Sequence, residues 1–196
     1  MSDYMESCMD FSPLFAQGNS FHIEKSAFRS KQCRNVKTVE FITLKEGRKL
    51  FFIEAKRTAP NPNNPVNKEN DLEYYQDLSE KMQQSLDMIL SKEVGVNIDT
   101  DGEFPQCFSE TAFSAYKLIF LLVIREHERK WSDDVKQKLQ RKLLAMRNIW
   151  KIEIIVLTGK EAIRKGFASR LVCKLDSSVW TGYSNCPRTA CVHSQK

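Results

Sequence analysis

In KLFFIEAKRTAPNPNNP (Lys49–Pro65) an apolar and aromatic run, Leu50 to Ile53, ends in Glu54-Ala55-Lys56 and gives way at once to a loop dense in Pro and Asn. Consecutive apolar residues put hydrophobic groups on both faces of a strand, as a sheet covered on both sides requires. Side chains two apart share a face, so Glu54 and Lys56 project together and Ala55 points the other way. Pro60, Pro62 and Pro65 exclude regular structure immediately afterwards. The loop from Arg57 to Asn70 reads equally as a semi-rigid flap over a substrate groove and as a plain connector.

Working outward, VKTVEFITL (Val36–Leu44) is rich in β-branched and aromatic residues and reads as a strand, and KEGRK supplies a turn containing Gly47. The two strands form a hairpin. Glu40 and Glu54 each lie seven residues from Gly47, which places them nearly opposite one another. A carboxylate in so apolar a stretch is costly to bury unless it is paired, hydrogen-bonded or metal-bound. Two facing carboxylates repel unless a cation lies between them. Mg²⁺ suits such a site because it takes a few hard oxygen ligands and keeps several waters. The backbone carbonyl of Ala55 is a further candidate ligand. Lys56 is placed to orient a water and to offset developing negative charge.

Beyond the loop, Leu72, Tyr75, Leu78, Met82, Leu86 and Ile89 recur every three or four residues, which predicts a long amphipathic helix starting near Asn70 or Asp71. Val94–Phe108 reads as an irregular connection and YKLIFLLVI as a buried strand. Ser132 or Asp133 caps a second helix with an apolar face of Val135, Leu139, Leu143, Met146 and Trp150. IEIIVLT is a further strand and GKEAIRKGF a short helix. SFHIEKS (Ser20–Ser26) is a candidate edge segment. Hairpin, helix, strand, helix, strand, helix predicts an α/β fold with a mixed central β-sheet flanked by helices. The expected organisation is a single domain over residues 1–168, its core about 36–158, and a C-terminal extension over 169–196.

An acid in one strand, E-x-K at the end of the next, then a helix and another strand: over Val36–Ile124 this pattern resembles the PD-(D/E)xK, or restriction-endonuclease-like, nuclease superfamily. The resemblance implies that Glu40 and Glu54 hold Mg²⁺ or Mn²⁺ and that Lys56 assists the attacking water. Some members add an upstream glutamate, for which Glu24 is the candidate here. The usual first acid is Asp, often after Pro, whereas Glu40 follows Val39 and reaches one methylene further. The implied activity is metal-dependent hydrolysis of phosphodiester bonds in DNA or RNA. The alternative is the same fold used without catalysis, as a nucleic-acid-binding or protein-interaction module. A second E-x-K, Glu128-Arg129-Lys130, lies in a charged segment after a strand.

The formal net charge is +5, and Arg125–Lys151 alone carries nine basic residues against four acidic ones. Arg57, Lys136, Arg141 and Lys142 are candidate contacts to a nucleic-acid backbone; an ordinary solvated helix face accounts for the last three equally well. Trp150 continues the apolar stripe and is assigned to the core, while Trp131, just outside the helix cap, is left open. His22, His127 and His193 show no metal-ligand spacing, and neither a Gly-rich phosphate loop nor a nucleophile elbow is present. Cys8, Cys33, Cys107 and Cys173 are isolated and read as small buried groups. Cys186, Cys191 and His193 lack a second ligand pair at zinc spacing. No apolar run approaches the ~20 residues of a membrane span. The acidic N-terminus has no basic n-region of a secretory signal. A cytoplasmic protein is expected, alone, as a homodimer or with another subunit.

Overall fold

The structure, a computed structural model, describes residues 4–46, 48–60, 68–110 and 112–172. In chain order the strands are β1 (Met5–Glu6), β2 (Met9–Asp10), β3 (Ser20–Phe21), β4 (Phe41–Lys45), β5 (Lys49–Lys56), β6 (Lys117–Ile124), β7 (Glu153–Thr158) and β8 (Arg170–Leu171). The helices are α1 (Ala27–Gln32), α2 (Lys68–Glu93), α3 (Ser132–Lys142), α4 (Leu144–Trp150) and α5 (Gly159–Arg164).

A five-stranded mixed sheet in the order β3-β4-β5-β6-β7 forms the centre. β4 pairs antiparallel with β3 and β5, and β5, β6 and β7 run parallel. Both crossovers are helical, through α2 and then through α3 and α4, as parallel neighbours require. Alternation along the strands sorts side chains to two cores. Leu50, Phe52, Phe120 and Leu122 pack with Leu78, Met82 and Leu86 of α2 and Val135 and Leu139 of α3. Phe51, Ile53, Leu121 and Val123 pack on the other face with Met9, Phe11 and Leu14 from the N-terminal segment and Ala162 from α5. A small sheet, β1-β2-β8, ties that segment to the end of the described chain.

The mixed sheet flanked by helices is thus present. Four local expectations need correction. Neither Ser132 nor Asp133 caps α3, which starts at Ser132 with Trp131 at its N-cap and no capping side chain. β4 starts at Phe41 rather than Val36, because the Lys37 and Val39 amides donate to Gln84 and Ser85 of α2 instead of to a strand. Leu72 is 66% exposed: at about 100° per residue it falls roughly 40° outside the arc spanned by the buried stripe. Trp150 is 38% exposed, not core, because the helix breaks at Leu143 and α4 restarts out of phase with α3. Cys8, Cys33 and Cys107 are half-buried thiols. Cys173, Cys186, Cys191, His193, Gly47 and the loop over 61–67 lie outside the described residues. Among the described residues no helix is long and apolar enough to cross a membrane.

Candidate functional site

Strand register brings the two acids together. Phe41 pairs with Ile53, so one step outward Glu40 stands opposite Glu54, and the Glu40 amide donates to the Ile53 carbonyl at 3.0 Å. Both side chains fall on the α2 side of the sheet: Glu54 continues the alternation of Leu50 and Phe52, and Glu40 that of Ile42. Helix α2 holds the chain before Glu40 in place, its Ser85 hydroxyl accepting the Val39 amide at 2.9 Å.

The cation between the acids belongs to the protein. Lys81, on α2, places Nζ 2.8 Å from Glu54 Oε1 and 3.8 Å from Glu40 Oε1. Lys56 Nζ is 3.1 Å from the same Glu54 oxygen and 3.4 Å from Asp77 Oδ2. Asp77 precedes Lys81 by one helical turn, and its other oxygen meets Lys37 at 3.2 Å. On the far side of Glu40, ligand atoms of Glu6, His22, Glu24 and Glu40 lie within 4.8 Å of one another. Glu6 is also paired with Lys25 at 2.6 Å.

This packing unbalances the carboxyl groups. Burial, then the adjoining Glu24 carboxyl and the Glu54 charge, push Glu40 up to about 10. Burial acts against Glu24 as well, but its hydrogen bond with Glu40 and the Lys81 charge outweigh that and hold it low. The pairing thus favours the protonated form of Glu40 and the ionised form of Glu24. Glu54 is wholly buried, which lifts its carboxyl, while Lys81 and Lys56 pull the other way. Burial opposes the charge on Lys81, yet Glu54 and Glu40 keep its ammonium above the usual range. Glu40 Oε2 finds no donor among the described residues, and neither does Glu54 Oε2, although both are enclosed. A bare buried acceptor costs about 1–3 kcal/mol, a cost that a further donor or cation would offset.

No protein-family model, curated protein or solved structure matches the chain. Of the residues singled out in the sequence, Glu24, Glu40, Glu54 and Lys56 converge. The Ala55 carbonyl accepts the Ser7 hydroxyl at 2.9 Å. Arg57 lies just beyond β5 and pairs with Glu126 at 3.1 Å. α3 returns the chain from the end of β6 to the start of β7, so it carries Arg141 and Lys142 about 15 Å along the sheet, away from Glu54. Lys136 sits half-buried midway along it.

Lys81 and Asp77 were not found in the sequence, although a signal existed. Lys81 adjoins Met82 and Asp77 adjoins Leu78, so both flank the buried stripe of α2, where a charged side chain reaches the sheet. Glu6 and His22 carried no comparable signal, because only tertiary contacts bring the N-terminal segment beside Glu40.

Proposed function

We propose that the chain is a metal-dependent phosphodiesterase acting on nucleic acid, of the PD-(D/E)xK kind, with Glu40 and Glu54 as the metal-binding acids. The observation that carries this reading is the in-register pair of buried carboxyl groups, each with an enclosed oxygen that lacks a donor, beside the Lys56 ammonium. The donor set is hard oxygen, which fits Mg²⁺ or Mn²⁺, and Glu24 offers a third carboxylate next to Glu40. Bound there, the ion would supply charge neutralisation at the phosphate oxygens and a more acidic water. Glu54 positions Lys56, whose ammonium then orients the water and faces the developing charge. Lys81 neutralises the acid pair in the metal-free protein and must yield part of its contact with Glu54 when the ion enters. Calorimetric titration with Mn²⁺ tests this reading: binding is expected in the wild type and lost in Glu54→Gln. Wild-type protein that takes up no Mn²⁺, or a variant that binds as well, would overturn it.

A second reading has its own support. The Lys81 ammonium already bridges Glu54 and Glu40, which is what a non-catalytic, structural ion network looks like. On that reading the chain is a nucleic-acid-binding or protein-interaction module, and its binding is indifferent to chelator and to Glu54→Gln.

A further inference from the structure

Strands β5, β6 and β7 end side by side, and beyond their carboxyl ends lies an open cleft of about 890 Å³, where ligands of open α/β sheets commonly bind. Its walls are cationic and aromatic. Arg57, Arg125, Arg129 and Lys160 line it against Glu126 and Glu128, together with Trp131 and His127. The β5–β6 ladder persists past the strand ends: the Arg125 amide donates to the Lys56 carbonyl at 2.9 Å and the Glu126 amide to the Arg57 carbonyl at 2.8 Å. Glu126 holds the two guanidinium groups side by side, 3.1 Å from Arg57 and 3.3 Å from Arg125. His127 meets the Trp131 ring edge-on at 6.0 Å, and Lys130 lies 5.3 Å over the same ring. His127 Nε2 is enclosed and has no hydrogen-bond partner among the described residues.

We propose that this cleft is a nucleotide-binding site in which Arg57, Arg125 and Lys160 hold a phosphate group and Trp131 stacks on the attached base. Guanidinium forks match phosphate oxygens, and an indole among cations adds a platform that every base accepts. An acidic peptide would use the cations alone, whereas a nucleotide engages the indole as well. The assignment stands whether or not Glu40 and Glu54 hold a metal. Its ligand chemistry, a base joined through a sugar to a phosphate, is shared by a free nucleotide and by one unit of a single strand.

Full-length protein in chelator, titrated with a fluorescein-labelled oligothymidylate hexamer and separately by calorimetry with thymidine 5′-monophosphate, tests the site. Lys160→Ala and Trp131→Ala are each expected to weaken binding about tenfold, with Trp131→Phe recovering most of the loss. Binding of both probes identifies the free nucleotide as sufficient, and binding of the hexamer alone identifies the strand; either result, with those variant effects, supports the cleft. Failure of both probes to bind, wild-type binding by Lys160→Ala and Trp131→Ala, or loss in Glu54→Gln alone would overturn it. The last outcome would place the ligand on the acid cluster, which separates failure of the cleft from failure of the metal site.

Discussion

Glu40 carries the pH behaviour of the site. Its carboxyl is raised from 4.5 to about 10, so the proton favours the folded form. That contribution is fully present below the unfolded value of about 4.5 and drains away as the pH climbs toward 10. Glu40→Gln keeps the shape without the titration. Urea unfolding should therefore show wild-type stability falling, relative to Glu40→Gln, from mildly acidic to alkaline pH; parallel profiles would refute the assignment. A divalent ion has to displace the same proton, so Mn²⁺ affinity should rise with pH by up to about tenfold per unit. Calorimetry in buffers of different ionisation enthalpy should register one proton released per ion. Lys81 makes the complementary case. Lys81→Met should cost up to about 3 kcal/mol of metal-free stability, because buried Glu54 then keeps only the Lys56 counter-charge. It should tighten Mn²⁺ binding, because no ammonium has to be moved. Weaker Mn²⁺ binding in that variant would show instead that Lys81 helps to assemble the site.

Helix α2 links core and chemistry. Its buried stripe packs on β5 and β6 through Leu78, Met82 and Leu86, and it delivers Lys81 to the acid pair, Asp77 to Lys56 and Ser85 to the Val39 amide. Ser85→Ala removes the acceptor for a buried backbone amide, at an expected cost of about 1–3 kcal/mol. Faster hydrogen exchange at Val39 and weaker Mn²⁺ binding should accompany it. An unchanged Val39 amide would mean that the strand entry is held by other contacts. The stripe was legible because period-3.6 burial is a local property of the sequence. The register of Glu40 against Glu54 was legible for a related reason: a tight hairpin fixes its own pairing. What the helix presents beside its stripe was not, since which flank of α2 faces the sheet depends on how the helix docks.

Across the whole molecule, the central sheet and its order of strands and helices could be read from alternation and turn residues. The second core could not. It depends on an N-terminal segment whose strands β1 and β2 are two residues each, β2 pairing across the chain with Arg170–Leu171, too short to leave a periodic trace. Phe11, fully buried there, should cost about 3–5 kcal/mol as Phe11→Ala, while the folded fraction keeps its Mn²⁺ affinity because the residue lies on the opposite face from Glu54. An affinity that falls with stability would couple the two cores more tightly than their separation by the sheet implies. An anomalous-scattering map from a crystal soaked in Mn²⁺ tests the metal site itself. A peak is expected at coordination distance from carboxylate oxygens of both Glu40 and Glu54, with Lys81 drawn back from Glu54. A map without a peak there, with the Lys81 ammonium still bridging the two acids at saturating Mn²⁺, would contradict it.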